Sequence, residues 1–397
     1  MTATPNPDVK DVLALVPKAP PLGESMGKVV RVASSAQLMA ALAAAEKGST
    51  ILVADGRYVL DRAEIAHVDG VTIRSESGDR DGVVLDGECK FTRMLVVRGC
   101  KDLTIADMTM ANSKQYGIFM LGDSDCQRLR VHNMKFHNIW VRAVKGTHPA
   151  RIGDDGNNLQ SREMQKKVRP VGGSIRYCLF VNDGEKPFDD DTFDGDYVSS
   201  IDMMMLKDWT IADNVFLGIR GKHGGGRGAI FVWIESEGVV TERNLFVNCD
   251  RSICYGNHSN GPLHMTGGIV RNNFIVAGKW WGIELCRTVG CKVYNNTVYA
   301  TQNKTPAVEF YHCSTGDECY NNLIAGRLEL DHEVAHGHNL LGELEGYFAN
   351  PAAGDLRLTE TATGAIGQGK ALAEVAEDFF GRKRHETPDI GAHEFQP

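Results

Sequence analysis

Basic side chains are concentrated at three places in this sequence of 397 residues. They are Arg142, Lys145, His148 and Arg151, then Lys222, His223 and Arg227, and finally His258, His264 and Arg271. Elimination at a uronic acid requires a cation that neutralises the carboxylate and a base placed at the adjacent proton. Arginine or a bound Ca²⁺ suits the first role, and lysine, histidine or tyrosine suits the second. The sequence therefore contains the side-chain types that this chemistry needs.

Lys145 is the first candidate for the base. It lies in a predicted strand whose neighbouring side chains are apolar and point inward, which gives the lysine a fixed position. The alternative is an exposed ion pair between Lys145 and Asp202 on the next strand, worth about 0–1 kcal/mol. The competing bases are His264 and His223, and the candidate carboxylate-neutralising residues are Arg227 and Arg271. The predicted substrate contacts are Arg142, His148, Lys222, Trp233, His258 and Trp281.

An acidic run between Gly184 and Tyr197 contains five aspartates. Carboxylate oxygens on a flexible loop suit Ca²⁺, which is the one cofactor that the sequence indicates. The predicted ligands are Asp190, Asp194 and Asp196 of this run, together with Asp202. The spacing of an EF-hand is absent, and no glutamate stands at the twelfth position. The alternative is therefore a solvated acidic loop that binds no metal.

Glu284 and Glu309 occupy equivalent positions in two successive predicted strands. Adjacent strands lie ~4.8 Å apart, and a carboxyl separation of about 5 Å suits a retaining glycoside hydrolase. Two like charges at that distance repel, so a metal or a raised pKa is expected. The alternative is two independent surface glutamates. Aromatic residues of the same region serve either as sugar-stacking platforms or as ordinary packing: Trp233, Trp280, Trp281 and Tyr311.

A repeated motif supplies the strands that position these residues. It runs apolar, two polar residues, often Asn, one further residue, and then an apolar or aromatic residue. Its fourth positions are 108, 134, 178, 214, 244, 273, 296 and 322, with intervals of 26, 44, 36, 30, 29, 23 and 26. These intervals are typical of solenoid coils with insertions. Alternation of β-branched and aromatic residues with period two indicates strands.

Asparagine recurs at the fourth position of five copies of the motif. A buried asparagine at the bend of each coil satisfies the free backbone groups of that bend. The sequence therefore predicts a structural ladder along one inner edge, formed by Asn214, Asn244, Asn273, Asn296 and Asn322.

A second strand follows each motif after a short turn. The predicted strands are Tyr116–Met120, Val141–Lys145, Ser199–Met203, Gly228–Trp233, Arg251–Tyr255, Trp281–Leu285 and Ala307–Tyr311. Alternation places one exposed row outward: Phe119, Lys145, Asp202, Phe231, Cys254, Glu284 and Glu309. The two longest intervals come from insertions at 146–171 and 182–198, and insertions of this length are frequently functional. We expect the site near Lys145 and Asp202, where this row meets three loops: Gly146–Val171, Gly184–Tyr197 and Gly221–Arg227.

The two ends of the chain differ from the repeat. Residues Ser35–Gly48 predict an amphipathic helix with a serine cap and a glycine at its end, which would cover the open end of the strands. The repeat fades near residue 340. The predicted organisation is a tail at 1–27, a capped β-helix at 28–345, and an irregular segment at 346–397 packed on the solenoid.

Over roughly residues 28 to 340, the chain resembles the right-handed parallel β-helix proteins of the pectate-lyase-like superfamily. The stretch VRVASSAQLMAALAAAEKGSTILVADGRYVL resembles the N-terminal region of the chondroitinase B and alginate lyase branch. The tail PDIGAHEF and the stretches VRAVKG, GKHGGGRGAIFVW and VNCDRSICYGN are similar to bacterial β-helix proteins with no assigned activity. The full calcium and Lys/Arg motif set of that branch is absent. The resemblance therefore implies an all-β fold more strongly than a reaction.

Composition and cysteine content limit the classes of partner and compartment that the protein can have. The net charge of −8 provides no basic excess for nucleic acid, and no apolar stretch is long enough for a membrane helix. Cys178, Cys254 and Cys286 lie in apolar patterns typical of free thiols, although Cys313 with Cys319, or Cys286 with Cys291, would pair in an oxidising compartment. The start of the sequence has no signal-peptide pattern, so the protein is either cytoplasmic or a secreted or periplasmic protein whose leader has been removed.

Two classes of function are consistent with these observations. The first is an enzyme that acts on an acidic polysaccharide, either a lyase that eliminates at a uronic acid or a hydrolase with paired carboxylates. The second is a glycan-binding or structural β-helix without catalysis. A product that absorbs near 235 nm would distinguish elimination from the other activities.

Overall fold

The computed structural model describes residues 5–25, 27–149, 161–189, 191, 193–258, 263–300, 305–312 and 316–396. The fold is a right-handed parallel β-helix with a small N-terminal helical cap. Its residues form two compact units. The first unit comprises Lys18–Asn182 and Ser199–Thr210, and the second comprises Met1–Pro17, Asp183–Val198 and Ile211–Pro397. The α-helices among these described residues are Val9–Leu13 in the second unit, and Ser35–Ala43 and Arg162–Val168 in the first.

Each coil of the first unit contributes strands to three parallel sheets. The first sheet contains Val29–Val32, Thr50–Val53, Thr72–Ser75, Thr104–Ala106, Arg130–His132 and Ser174–Arg176. The second contains Gly56–Val59, Val83–Asp86, Thr109–Ser113, Lys135–Ile139 and Leu179–Val181. The third contains Ala63–Ala66, Arg93–Arg98, Tyr116–Met120, Arg142–Gly146 and Ser199–Met204. Successive coils place like residues over one another in the interior, as in the stacked rings of Phe136 and Phe180, 4.9 Å apart.

The second unit repeats this arrangement. Its first-sheet strands are Val240–Glu242, Ile269–Arg271, Lys292–Tyr294, Glu318–Tyr320 and Ala335–Gly337, and the strand Thr210–Ala212 includes residues of both units. Its second-sheet strands are Val215–Leu217, Leu245–Cys249, Phe274–Ala277, Thr297–Tyr299, Leu323–Ala325 and Leu340–Leu341. Its third-sheet strands are Gly228–Trp233, Arg251–Tyr255, Ile283–Cys286, Val308–Tyr311 and Leu328–Glu329. A short parallel sheet adds Ser236–Glu237, Met265–Thr266 and Thr288–Val289.

The C-terminal segment of the second unit packs against the coils. It contains an antiparallel hairpin of Phe348–Asn350 and Asp355–Leu358, joined through a 3₁₀ turn at Pro351–Ala353. The ring of Phe379 stacks on Phe274 at 4.1 Å. The domain boundaries predicted after residues 27 and 345 stay a prediction.

The asparagine ladder is confirmed in the second unit, where all five predicted side chains are fully buried. The Oδ1 atom of each ladder asparagine from Asn244 onward accepts the backbone N–H and the Nδ2–H of the preceding one. For Asn273 and Asn296 these distances are 3.1 and 2.9 Å. The ladder has one more member than the motif predicted, because Asn339 accepts the same pair of bonds from Asn322.

The residue before each ladder asparagine makes the bend possible. Asp213, Arg243, Asn272, Asn295 and Asn321 all have φ between 49° and 60°, in the left-handed region. Asparagine and aspartate tolerate this region better than most residues. The repeated Asn-Asn pairs of the sequence therefore combine two tasks, a left-handed bend and a buried hydrogen-bonding side chain.

The predicted third-sheet strands are confirmed to within two residues, and so is their register. In the first unit Val144 pairs with Ile201, and Lys145 pairs with Asp202. In the second unit Glu284 lies between Cys254 and Glu309. The sequence also predicted that the row of side chains containing Lys145 and Glu284 is exposed to solvent, and this was wrong. Lys145 is only 7% exposed and Glu284 is fully buried.

Two smaller expectations also need correction. The capping helix begins after Ser34, whose side chain accepts the Gln37 N–H, but it ends at Ala43, and Gly48 lies in a later turn. Cys286 and Cys291 are both free and buried, so this pairing does not occur. Cys313 lies outside the described residues. No helix within the described ranges is long and apolar enough to cross a bilayer.

We expect Asn296→Ala to lower the free energy of unfolding by about 2–3 kcal/mol. The substitution leaves the buried Asn273 N–H and the carbonyl of Val270 without the partners they have now, and an unsatisfied buried group costs about 1–3 kcal/mol. Urea unfolding followed by circular dichroism measures the change. Asn350→Ala is the control, because the exposed Asn350 makes no side-chain capping bond. Equal effects of the two substitutions would contradict the ladder's structural role.

Candidate functional site

Lys145, Asp202 and Arg142 form a buried charge triad in the first unit. The Nζ atom of Lys145 lies 3.0 Å from Oδ2 of Asp202, and Nε of Arg142 donates to the same oxygen at 2.6 Å. Arg142 and Asp202 are fully buried, and Lys145 nearly so. The predicted neighbour relation of Lys145 and Asp202 is thus confirmed, whereas the prediction of a solvent-exposed pair was wrong.

Burial and the neighbouring charges both shift the pKa values of Lys145 and Asp202. Burial, helped by the Arg142 cation, lowers the pKa of Lys145 below its ordinary value although Asp202 raises it. Burial alone would raise the pKa of Asp202, but Lys145 and Arg142 together hold it below its ordinary value. An amine with a lowered pKa suits a base. The Nζ atom of Lys145, however, has no solvent access among the described residues.

A second cluster lies on the third sheet of the second unit, around the carboxylate of Glu284. The Tyr311 hydroxyl donates to Oε1 at 2.7 Å, and the Cys254 thiol donates to Oε2 at 3.1 Å. Arg251 and His258 approach the same carboxylate at 3.9 and 4.0 Å. We call these residues, with Trp281 and Glu309, the Glu284 cluster. Glu284 is its buried anchor, and most of the other members reach solvent.

Aromatic rings form the outer side of the Glu284 cluster. The His258 ring stacks on Tyr311 with centroids 3.8 Å apart. The Arg251 guanidinium lies 4.8 Å from the centroid of Trp281, and Trp281 stacks on Trp280 at 5.9 Å. Within the described part of the chain, Nε of Arg251 is buried without a hydrogen-bond partner. The rest of the Arg251 side chain is partly exposed, and a guanidinium beside an indole face is suited to an anionic sugar.

The pKa values of His258 and Glu309 in this cluster differ from the ordinary values of histidine and glutamate. Burial lowers the pKa of His258, with Arg251 and His312 acting in the same direction and Glu284 opposing them. Burial raises the pKa of Glu309, with Glu329 and Glu284 adding to the effect. Trp281 Nε1 donates to Glu309 and holds this carboxyl in place. At neutral pH the cluster therefore presents a neutral imidazole and a carboxyl of weakened acidity.

The remaining predicted bases lie elsewhere. His264 is almost fully buried, and its Nδ1 accepts the Ile234 N–H at 3.3 Å. Burial lowers its pKa to about 4. Its neighbour Trp233 stacks on Phe231 at 4.9 Å. His148 is partly buried in the first unit, where burial and Arg162 lower its pKa.

The predicted arginines are not part of the Glu284 cluster. Arg271 lies on the first sheet, where Nε donates to Glu242 at 2.7 Å. Arg227 follows the glycine-rich loop and lies over the Phe193 ring, 4.6 Å from its centroid. Arg151 lies outside the described residues.

The acidic run and the loop Gly221–Arg227 form a third group in the second unit. Lys222 pairs with Asp189 at 2.9 Å, and the backbone N–H of the exposed His223 donates to Asp196 at 2.9 Å. Asp191 pairs with the buried Lys186 at 2.5 Å and also accepts backbone N–H groups. The carboxylates of this run are therefore largely occupied by protein donors.

These carboxylates do not fit the calcium site predicted from the sequence. Asp202 is paired with two cations, and Asp196 already accepts a backbone N–H. Asp194 is exposed, and Asp190 lies outside the described residues. Among the residues that the structure describes, no group of three or more His, Cys, Asp or Glu side chains is placed to hold a metal ion.

Sequence reasoning recognised the members of the Glu284 cluster only in part. It singled out Glu284, Glu309, His258, Trp281 and Tyr311 separately, and it missed Arg251 and the role of Cys254. The signal was present, because Arg251 begins the predicted strand that pairs with the strand of Glu284. The convergence of Arg251 and Tyr311 on one carboxylate depends on side-chain conformations that a strand pattern does not specify.

Comparisons with known proteins identify the fold. No protein-family model matches the chain, and no curated protein matches it in sequence. The pectate lyase Pel9A aligns over 94% of this chain and 98% of its own length with a TM-score of 0.57, at 12% sequence identity. An alginate lyase from Paenibacillus sp. str. FPU-7 aligns over 79% of this chain and 99% of its own length with a TM-score of 0.48, at 13% identity. At 12% identity the similarity to Pel9A supports the parallel β-helix fold and does not establish the reaction.

We expect Lys145→Ala to lower the free energy of unfolding by about 3 kcal/mol. Removing one partner of a buried ion pair leaves an uncompensated buried charge, here on Asp202, and costs about 3–5 kcal/mol. Arg142 still pairs with Asp202, which places the expected loss at the lower end. Lys101→Ala in the same unit is the control, because its pair with Asp125 is about 40% exposed on both sides. A loss below 1 kcal/mol in Lys145→Ala would contradict the buried triad.

Proposed function

We propose that this protein cleaves an acidic polysaccharide by β-elimination at a uronic acid residue, and that the Glu284 cluster is its active site. The observation that carries the proposal is Arg251, whose side chain is 17% exposed and whose guanidinium lies 4.8 Å from the centroid of the Trp281 ring. An indole face binds the apolar face of a sugar ring, and a guanidinium binds its carboxylate. The two together select a sugar that carries an acid group.

The reaction assigns one role to each member of the cluster. Arg251 neutralises the uronate carboxylate, which makes the proton on the adjacent carbon acidic. The neutral His258 ring accepts that proton, and the electron pair of the broken C–H bond forms the new carbon–carbon double bond. The bond to the leaving oxygen breaks, and Glu309 supplies a proton to this oxygen. The raised pKa of Glu309 favours the protonated state that this step requires.

Glu284 favours elimination over hydrolysis. A retaining hydrolase needs one carboxylate that attacks the sugar and one that donates a proton. Glu284 is fully buried and accepts hydrogen bonds from Tyr311 and Cys254 on its two oxygens. It is thus a poor nucleophile, and its negative charge instead orients Arg251 and His258. Hydrolysis by Glu284 and Glu309 is the second candidate, supported by their positions on adjacent strands.

Lys145 is the alternative base for the same reaction. Its lowered pKa supports this role, but substrate would reach its Nζ only after local opening of the chain around it, since the atom is shielded from solvent. A calcium ion is not needed in the proposed reaction because Arg251 neutralises the carboxylate. A glycan-binding protein without catalysis would use the same Arg251 and Trp281 contacts.

Incubation with alginate, pectate, chondroitin and dermatan tests the proposed reaction. We expect one of these polymers to yield an unsaturated product that absorbs near 235 nm. Reducing ends without this absorbance would indicate hydrolysis, and binding without either product would indicate the non-catalytic function. His258→Ala should lower kcat/KM on the order of 100-fold or more. His332→Ala is the matched control and should leave kcat/KM unchanged, because the His332 side chain is 84% exposed and lies outside the cluster.

Arg251→Ala should raise KM and lower kcat together, because the carboxylate carries more charge in the transition state than in the ground state. Steady-state kinetics on the substrate found above measure both constants. Turnover that is lost in a folded Lys145→Ala variant but kept in His258→Ala would move the base to Lys145. A change in KM alone for Arg251→Ala would reduce Arg251 to a binding residue.

The pH dependence of kcat/KM follows from His258. A base must be deprotonated, so activity falls when the pH drops below its pKa. Since the pKa of His258 is lowered, the acid limb should lie below pH 6.5, the ordinary histidine value. Glu284→Gln removes a charge that raises this pKa and should move the acid limb to lower pH still. An acid limb above pH 6.5 would contradict the assignment of His258 as the base.

A further inference from the structure

The glycine-rich loop Gly221–Gly226 is held by two carboxylates. The N–H groups of Gly221 and Gly226 both donate to Oδ2 of Asp250, at 2.8 and 2.9 Å. The N–H of His223, between them, donates to Oδ1 of Asp196 at 2.9 Å. Asp250 is almost fully buried, so these bonds replace the water that a carboxylate would otherwise bind.

Glycine is required in this loop by the closeness of the carboxylates. A Cβ atom on Gly221 would lie 2.2 Å from Oδ1 of Asp196, and one on Gly225 would lie 2.5 Å from Oδ2 of the same residue. A Cβ atom on Gly226 would lie 2.9 Å from Oδ2 of Asp250. At distances below 3.0 Å a side chain on the loop would force these carboxylates to shift away from it. The GKHGGGRG sequence therefore permits a close fit of the loop backbone to Asp196 and Asp250.

The opposite side of the loop contacts Trp280, which with Trp281 forms a pair of stacked rings that we call the Trp280–Trp281 platform. The carbonyl of Gly224 accepts the Trp280 Nε1–H at 2.6 Å, and the carbonyl of His223 accepts Lys279 Nζ at 2.9 Å. The backbone carbonyl of Asp250 also accepts the Trp280 N–H at 2.9 Å. Trp280 in turn stacks on Trp281. Hydrogen bonds thus connect Asp250 through the loop to Trp280, and Trp280 stacks on Trp281, the ring on which the proposed substrate would lie.

We propose that Asp250 is a positioning residue that holds the Trp280–Trp281 platform through the glycine-rich loop, and that its protonation releases this hold. The inference rests on the proposed function only in assigning the platform to a glycan. Bonds to an ionised carboxylate are roughly twice as strong as those to a neutral group. Loss of the Asp250 charge therefore weakens both loop contacts at once, and Trp280 loses the fixed carbonyl of Gly224.

The surroundings of Asp250 set the pH at which this occurs. Burial and the nearby Asp196 raise the pKa of Asp250 to about 6, although the two backbone N–H groups and Arg220 oppose the shift. The charged and titratable groups around it are Asp196, Arg220, His223, Lys279 and the adjoining Arg251. Because the raised pKa means that the folded state favours the protonated acid, protonation of Asp250 does not itself lower global stability. Its effect is confined to the hold on the loop.

Tryptophan fluorescence and acrylamide quenching between pH 4.5 and 8 test the inference without any glycan. We expect quenching of Trp280 to rise as the pH falls through about 6, while circular dichroism at the same pH values shows that the chain stays folded. Asp250→Asn should show the low-pH quenching over the whole range, and Trp280→Phe should abolish the transition. Asp317→Asn is the matched control, since Asp317 is a buried carboxylate of the same unit that binds Thr288 and the Cys291 N–H instead.

Asp196→Asn provides an independent variant if Asp250→Asn does not fold. It removes a charge that raises the pKa of Asp250 and should move the transition to lower pH. A transition that persists unchanged in Asp250→Asn, or in Trp280→Phe, or that keeps its midpoint in Asp196→Asn, would overturn the inference. Because none of these measurements uses substrate, failure of the proposed elimination reaction would leave them unaffected.

Discussion

Backbone hydrogen bonding between in-register parallel strands is the constraint on which the rest of this structure depends. It stacks each residue directly above its counterpart in the preceding coil, so like residues accumulate in rows. The strand bonds end at the bends, where the chain must turn and leaves buried N–H and C=O groups unpaired. In the second unit asparagine side chains take over at that point, and each one bonds to the next. In this unit the strands that carry Glu284 and Glu309 belong to coils whose bends are satisfied in this way.

The register could be predicted from sequence because the alternation of side chains is a local property. The pairing of Lys145 with Asp202, and of Glu284 with Glu309, follows from counting residues along recognisable strands. Burial could not be predicted in the same way. A strand pattern states on which face a side chain lies, whereas its exposure depends on which other side chains cover that face. Tyr311 covers Glu284 by a hydrogen bond that no pattern contains.

The burial of charge changes the chemistry of both charged clusters. An exposed lysine or glutamate keeps its ordinary pKa and contributes little to stability. In the buried triad, the low dielectric makes Lys145 and Asp202 depend on each other. Around Glu284 the same effect lowers the pKa of His258 and keeps this imidazole neutral at the edge of the cluster. The difference between a structural and a reactive cluster here is solvent access, which Lys145 lacks and His258 has.

The coils of the second unit differ in the number of residues, but the hydrogen bonds between successive ladder asparagines have nearly the same length. The intervals between successive ladder residues are 29, 23 and 26 residues for Asn244, Asn273, Asn296 and Asn322. The hydrogen bonds from Nδ2 of each asparagine to Oδ1 of the next nevertheless all measure between 2.9 and 3.0 Å. Distance along the axis is thus independent of the number of residues in a coil. A pair of spectroscopic labels placed on equivalent third-sheet positions would report a separation given by the coil count alone, and loops of new length grafted between the strands would leave that scale unchanged.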